Sequence, residues 1–285
     1  MRKLIVTADD YGMHASVDSA IEECLQAGAL RATCLLANMS GQTSGAKLRA
    51  RFPRASIGVH WNLTQGHPTS SHVSGLVAPD GRFSTLRELR WCWLTGGVSP
   101  AEIRTELRAQ YERFCDMAGR PDFWNTHENF HVWPGLFDLV VRLGMELGIR
   151  AMRCHRRVTV PGWGSPTTHN LRRPLHWLKG QVIAGWSRRA EAGGTVMPDG
   201  LLDAPGFGPG NAEIERVVAA KCWRDDARIV EVAVHPATEV NLALFGRLTE
   251  SRVREYDVYR DPELKGRLQE RGIELANFEA LHNGR

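Results

Sequence analysis

The chain has 285 residues, of which 42% are hydrophobic and 24% charged, and its formal net charge is +4. This balance is typical of a globular protein with a buried core, and so mild a charge does not favour nucleic acid as a partner. No apolar run approaches the roughly 20 residues that span a bilayer, and neither a signal peptide nor a C-x-x-C pair is recognisable. We therefore expect a cytoplasmic protein whose six cysteines are reduced.

Strand-like and helix-like segments alternate along the chain. The predicted strands are residues 4–7, 32–37, 57–60, 123–126, 151–154, 229–234 and 273–276. The predicted helices are residues 16–27, about 100–118, 136–147 and 262–271, marked by apolar residues at helical spacing or by capping residues.

This alternation predicts an α/β fold with a mostly parallel sheet and crossover helices. An open sheet and a distorted (β/α) barrel both fit the length, and we favour the barrel because polar residues follow at least four of the strands. We expect one domain over residues 1–285. Residues 155–211, rich in Arg, Trp, Gly and Pro, form an irregular excursion in which 171–186 has the character of a basic helix.

Carboxylates and imidazoles follow four of these strands. Asp9 and Asp10 follow the first strand, and three later strands end at His60, His127 and His235. Adjacent carboxylates repel, so they need a cation or a shared proton. One carboxylate and two imidazoles suit a divalent ion, and a second carboxylate and a further His could act as general base and acid. The pattern predicts metal-assisted hydrolysis of an amide or ester.

Each of these residues also has a structural interpretation. An Asp after a strand can cap the next helix, and a single His at a strand end is commonly a hydrogen-bonded structural residue. Trp61 and Trp133 adjoin the predicted loops, where an aromatic face could meet a sugar ring, although Trp is commonly a core residue. The coincidence of these residues at several strand ends favours the functional interpretation.

Four motifs carry a resemblance in chain order. They are Thr-Ala-Asp-Asp-Tyr-Gly at 7–12, Gly-Val-His-Trp-Asn-Leu-Thr at 58–64, a His-rich block at 126–134 and Val-His-Pro at 234–236. Together with the tail at 252–256 and 272–275, they resemble the YdjC-like carbohydrate deacetylases, which include chitooligosaccharide deacetylase and hopanoid-associated deacetylase-like proteins. The resemblance covers nearly the whole chain.

The resemblance implies a distorted β/α barrel with one divalent metal ion, zinc or magnesium. It implies that Asp10, His60 and His127 bind the metal, that Asp9 is the general base and that His235 is the general acid. The implied reaction removes an acetyl group from an N-acetylated mono- or oligosaccharide, free or linked to a carrier.

Substrate contacts are also expected around this site. Arg153 lies where the family places a substrate-side arginine, and we assign further contacts to Trp61, Asn62, Asn129 and His131. The His-rich block departs from the family pattern, because Asn125 and Asn129 stand where an Asp and a His are usual. Asn carries no charge and cannot act as a base, but it can hydrogen-bond a ligating His or a sugar hydroxyl. Glu128 adds a carboxylate that could compensate.

Two alternative functions stay open. One is metal-dependent hydrolysis of another ester or a phosphoester, although phosphoryl transfer favours two metals or basic clamps and only one ligand set is evident. The other is a non-catalytic sugar-binding relative, which Asn125 and Asn129 suggest. The basic residues of 155–211 suggest peripheral contact with a lipid-linked substrate, and a homodimer is kept as an open expectation.

Overall fold

Parallel strands form one sheet that curls into a half-barrel, with helices packed around it. The computed structural model describes residues 2–39, 45–158, 166–202, 227–245 and 249–282, with side chains throughout except in 157–176. Its strands are β1 (Arg2–Tyr11), β2 (Ala32–Leu35), β3 (Ser56–Trp61), β4 (Trp124–Thr126), β5 (Arg157–Val158), β6 (Gly200–Leu202), β7 (Ile229–Val234) and β8 (Ile273–Ala276). Its helices are α1 (Ala15–Ala27), α2 (Gly45–Arg51), α3 (Leu86–Thr95), α4 (Pro100–Ala118), α5 (Leu136–Glu146), α6 (Pro166–Ala192), α7 (Leu242–Phe245), α8 (Thr249–Tyr259) and α9 (Leu264–Glu270).

Strand β1 is the centre of the sheet. The strand order is β4-β3-β2-β1-β7-β6-β5, and β8 pairs with the first residues of β1 before β2 takes over that edge. Every pairing of these strands is parallel. Because β1 is covered on both faces, residues 4–11 are all buried, as its continuous apolar start indicates. The carboxyl ends of β1, β3, β4 and β7 therefore open on one edge of the half-barrel.

The preference for a curled sheet over an open one is confirmed, and most predicted elements are present. The exception among the strands is 151–154, which is reduced to two single bridges, Ala151 with Val196 and Met152 with Trp124. The next residue, Arg153, still donates its backbone N–H to the Trp124 carbonyl, and its side chain is buried.

Two helices that were not predicted, α8 and α3, differ in whether the sequence carries a local signal for them. The buried face of α8 includes Thr249, Ser251, Arg252 and Glu255, so no apolar stripe marks it. Helix α3 begins at a capping box, in which Thr85 accepts from the backbone of Glu88, a signal that was present in the sequence.

The excursion at 155–211 is partly described. The predicted basic helix 171–186 lies within the longer α6, whereas residues 159–165 and 203–211 of the excursion lie outside the described residues. No helix in the described ranges has both the length and the apolar character needed to cross a membrane. The five cysteines within those ranges are unpaired, and Cys222 lies outside them.

Candidate metal centre and hydrolytic site

The register of the sheet brings the predicted site residues together. His60 on β3 is the direct neighbour of Asn125 on β4, so their side chains share a face. Ala8 on β1 is the direct neighbour of Val234 on β7, which puts Asp9 beside His235. Side chains from four strand ends thus meet at one edge.

A bulge in β1 lets both carboxylates enter this site. Ala8 pairs with Thr33 and Tyr11 with Leu35, so Asp9 and Asp10 together oppose a single residue of β2. Asp10 takes a left-handed backbone with φ 71°, a conformation that Asp tolerates better than most residues. In a regular strand, adjacent side chains would point to opposite faces; the bulge removes that alternation.

Asp10 is the centre of a candidate metal cluster. Its Oδ1 lies 3.0 Å from His127 Nδ1 and 3.3 Å from His60 Nε2. Three donor atoms within 4.8 Å of one another, one carboxylate and two imidazoles, fit a divalent cation such as zinc. Arg252 Nη2 donates to the other oxygen, Oδ2, at 2.6 Å. Arg252 therefore turns Oδ1 toward the imidazoles.

The charges of the cluster support cation binding. Burial would raise the pKa of Asp10, but Arg252 and His127 outweigh it and hold the pKa well below the usual range, so the carboxylate is ionised. Burial opposes protonation of His127, yet the Asp10 carboxylate raises its pKa. An ionised carboxylate that attracts positive charge to the adjacent imidazoles also attracts a metal cation, which would displace those protons.

Asn125 connects the metal cluster to the second carboxylate. Its Nδ2 donates to Asp9 Oδ1 at 3.1 Å, and its Oδ1 lies 2.5 Å from His60 Nδ1. Because an ionised carboxylate can only accept, the amide nitrogen must face Asp9 and the amide oxygen must face His60. His60 then carries its proton on Nδ1, which leaves Nε2 as the ligand atom.

We expect Asn125→Leu to lower metal affinity by about 10- to 100-fold, since outer partners of ligating imidazoles typically contribute that much. Isothermal titration of the metal-free protein with zinc measures the change. Asn129→Gly is the matched control, because Asn129 has φ 52° and its Oδ1 has no hydrogen-bond partner among the described residues. Equal affinities for wild type and Asn125→Leu would contradict the bridging role.

Asp9 is held by a buried arginine. Arg153 Nη1 donates to Oδ2 at 2.5 Å and Nη2 to Oδ1 at 2.8 Å. Burial would raise the pKa of Asp9, but Arg153 holds it below the usual range. Oδ1 also accepts from Asn125 and from Cys34 Sγ at 3.1 Å, whereas Oδ2 faces His235 Nε2 at 3.7 Å. Oδ2 is therefore the oxygen turned toward the open part of the site.

A second group of donor atoms, Asp9, Cys34 and His60, also lies close together. Both Asp9 oxygens are already bound by Arg153, and burial raises the pKa of the Cys34 thiol well above its usual value. Metal ligation by cysteine needs the thiolate. The cluster centred on Asp10 is the better metal site.

His235 is the most accessible of the predicted catalytic side chains. Its side chain is 31% exposed, against 4% for Asp9. Its backbone N–H donates to Glu255 Oε2, which fixes the start of the loop after β7. Burial of most of the ring lowers the pKa of His235 to about 4, although Asp9 and Asp10 favour the charged form. The resting imidazole is neutral.

Glu255 should make the protein less stable as pH rises. Burial raises its pKa from 4.5 to about 8, so between these values the folded state keeps a proton that the unfolded state has lost. The stability that protonated Glu255 contributes is therefore fully present below pH 4.5 and is lost as pH rises to about 8. We expect Glu255→Gln to remove this loss, gaining on the order of a few kcal/mol over wild type at the alkaline end. Urea unfolding across this pH range measures the free energy of unfolding of both proteins. Parallel curves of that free energy against pH would contradict the prediction.

The turn after β4 is strained. His127–Asn129 forms one turn of 3-10 helix, in which Glu128 and Asn129 have φ near +50°. With Asp10, these are the non-glycine residues of the described chain that adopt positive φ. Such strain concentrates at functional sites. Asn129 Oδ1 is buried without a hydrogen-bond partner among the described residues, and the Glu128 side chain is exposed.

Four residues expected to contact substrate are buried. Trp61 is fully buried, with its indole N–H donating to Leu107. Asn62 is buried and accepts from the backbone of the loop that follows it. His131 is buried against Trp124 and Phe137, and burial lowers its pKa to about 3. Arg153 is also buried and faces carboxylates.

Three site residues escaped the sequence analysis. Arg252 and Glu255 come from α8, and Glu231 on β7 binds Arg153 Nε at 2.9 Å. The segment 252–256 had been noted as part of a family resemblance but without any role. The signal available for Glu231 was a charged residue inside an otherwise apolar strand, because a buried charge needs a partner.

Comparisons with known proteins identify a family and a set of relatives. The family profile described as "YdjC-like protein" matches residues 3–270. A chitooligosaccharide deacetylase of Salmonella paratyphi B is 28% identical over 281 residues, 97% of this chain and 98% of that protein. A carbohydrate deacetylase of Geobacillus stearothermophilus is 27% identical over 287 residues, 99% of this chain and 98% of that protein.

Solved structures show the same fold. A "putative cellobiose-phosphate cleavage protein" of Enterococcus faecalis V583 aligns with a TM-score of 0.73 at 23% identity, covering 98% of both chains. An uncharacterized protein of Agrobacterium tumefaciens C58 aligns with a TM-score of 0.53 at 13% identity, covering 98% of this chain and 89% of that one.

Proposed function

This chain belongs to the YdjC-like protein family, and we propose on that basis that it is a metal-dependent hydrolase that removes the acetyl group from an N-acetylated sugar. The observation that carries the proposal is the pair of adjacent carboxylates with separate partners. Asp10 faces His60 and His127, and Asp9 faces Arg153 and His235. The names of the relatives support the acetylated sugar as substrate.

Asp10, His60 and His127 would hold one divalent ion, zinc or magnesium, which when bound polarises the acetyl carbonyl and lowers the pKa of a water. The role of Arg252 is to keep Asp10 Oδ1 directed at the two imidazoles. The role of Asn125 is to keep the proton of His60 on Nδ1. Both residues would hold the ligand atoms in a binding orientation before the metal arrives.

Asp9 would accept the proton of the attacking water. Its carboxylate is ionised, and Oδ2 is the oxygen that faces the open part of the site, toward His235. Oδ1 accepts from Arg153, Asn125 and Cys34, whereas Oδ2 accepts from Arg153 and is the less crowded oxygen for taking a proton. Arg153 thus anchors both oxygens of the carboxylate, and Oδ2, which faces His235, would act as the general base.

His235 would deliver a proton to the nitrogen of the leaving sugar amine. Because its imidazole is neutral at rest, it must first receive that proton. Asp9 Oδ2, 3.7 Å from Nε2, is a donor once it has taken a proton from water. The proton would pass from water to Asp9, from Asp9 to His235, and from His235 to the amine, so the site returns to its starting state after acetate leaves.

Acetate release tests this function. Purified protein is incubated with N-acetylated mono- and oligosaccharides, an O-acetylated sugar and a phosphorylated sugar, with and without chelator. We expect acetate from an N-acetylated sugar, loss of that release with chelator and its return with added zinc or magnesium. Phosphate release would instead indicate a phosphoesterase. Sugar binding without turnover of any substrate by metal-loaded protein would indicate a binding relative.

A further inference from the structure

Glu231 is a fully buried carboxylate that the proposed reaction does not use. It lies on β7 opposite Ile5 of β1, and its surroundings leave none of it exposed. Residues two and four apart along a strand share a face, so Glu231 lies on the same side of β7 as His235. Burying a charge is costly unless it is paired, and the partner here is Arg153.

Arg153 is held by two carboxylates at once. Its Nε donates to Glu231 Oε1 at 2.9 Å, while its two terminal nitrogens donate to the two oxygens of Asp9. The other Glu231 oxygen, Oε2, is also buried. Burial opposes the charge of Arg153, but Asp9 and Glu231 raise its pKa well above the usual value. The guanidinium is therefore permanently charged.

This arrangement fixes the plane of the guanidinium. A planar group with five N–H donors offers its fork in a rigid geometry. The fork on Asp9 alone would allow the group to tilt together with that carboxylate. The third bond, from Nε to Glu231, ties it to the rigid strand β7 and removes this freedom. Asp9 Oδ2 then stays in its position 3.7 Å from His235 Nε2.

We propose that Glu231 is a positioning residue: through Arg153 it sets the orientation of the Asp9 carboxylate and so aims Oδ2 at the reacting water and at His235. The inference rests on the proposed function, since it assumes that Asp9 is the base. It makes Glu231 part of a chain that runs from β7 through Arg153 to β1. No atom of Glu231 needs to contact the substrate.

Two variants of Glu231 distinguish an effect on the orientation of Asp9 from an effect on folding. Glu231→Gln keeps an oxygen that can accept from Arg153 Nε, whereas Glu231→Leu does not. We expect Glu231→Gln to keep most of kcat. We expect Glu231→Leu to lower kcat by about 100-fold, the order of loss that a small misplacement of a catalytic group produces. KM and metal content should change little in either variant, because the cluster around Asp10 is not touched.

A background variant tests whether Arg153 transmits the effect. Replacing both Arg153 and Glu231 by apolar residues removes this ion pair, and it leaves the buried Asp9 carboxylate without its guanidinium just as Arg153→Met alone does. We expect Arg153→Met/Glu231→Leu to fold and to have the same kcat as Arg153→Met, because there is no longer a guanidinium for Glu231 to orient. A further 100-fold loss in that background would overturn the proposal. So would an unchanged kcat in Glu231→Leu, or equal damage in Glu231→Gln and Glu231→Leu.

A second readout does not need turnover. Urea unfolding midpoints of Asp9→Asn, Glu231→Gln and their double variant form a cycle. We expect the two changes to be non-additive in the wild-type background and additive in Arg153→Met. Additivity in both backgrounds would overturn the inference. If the wild-type protein releases no acetate from any acetylated sugar, the proposed function is overturned instead. The unfolding cycle still tests whether Asp9 and Glu231 are coupled through Arg153.

Discussion

Asp10→Ala is expected to abolish both metal binding and acetate release. Asp10 Oδ1 is the atom that both imidazoles face, so its loss leaves two neutral ligands, which hold a divalent ion poorly. The metal content measured by elemental analysis should fall from one ion per chain to none. Turnover should fall to that of wild type treated with chelator. A variant that keeps its metal and its activity would exclude this ligand set.

The control for Asp10→Ala must account for Arg252. Its guanidinium is buried beside Asp10, and an unpaired buried charge costs about 3–5 kcal/mol. Asp10→Asn keeps an acceptor for Arg252 and should lose metal with less damage to the fold. Asp18→Asn is the matched control. Asp18 is buried and accepts from the backbone of Gly12, so the substitution perturbs the adjoining loop without altering a metal ligand. We expect it to keep its metal.

Asp9→Asn is expected to keep the metal and lose the reaction. Removal of a general base lowers kcat by about 10²–10⁴-fold, whereas the ligands of the cluster around Asp10 stay in place. We expect a metal content equal to that of wild type, a small change in KM and a fall in kcat of that order. Steady-state kinetics and elemental analysis on the same preparation measure all three.

Cys34→Ala is the matched control for Asp9→Asn. Cys34 Sγ contacts Asp9 Oδ1, whereas the oxygen near His235 is Oδ2. We expect this variant to keep its metal and to retain acetate release. A loss of metal in Cys34→Ala would indicate that the metal binds at the second cluster, with Asp9 as a ligand. Retained kcat in Asp9→Asn would mean that another group takes the proton.

Much of the candidate site could be predicted because its residues stand at the ends of short apolar segments. Asp9, His60 and His235 each follow such a segment, and parallel strands bring their carboxyl ends to one edge. The elements themselves follow from local signals, such as the capping box of Ser99 and Glu102 at the start of α4. These signals act over a few residues, and a sequence displays them directly.

The partners of these residues could not be predicted. Arg153 was expected to face the substrate, but its guanidinium turns inward to Asp9 and Glu231. Trp61 adjoins the site in sequence, yet its side chain packs in the core. Whether a side chain points into the site or away from it depends on register and on bulges, which are set by contacts between distant segments.

The sequence by itself determined the parallel α/β class, the strand ends that carry the carboxylates and imidazoles, and the family. Only the tertiary structure decided which partners surround each of these groups. The bulge in β1 turns Asp9 and Asp10 into one site, the register of His60 with Asn125 fixes a tautomer, and α8 supplies Arg252 from 242 residues away. Local pattern records which groups a strand end presents, but hydrogen bonds between distant segments determine which atom of each group is left free to react.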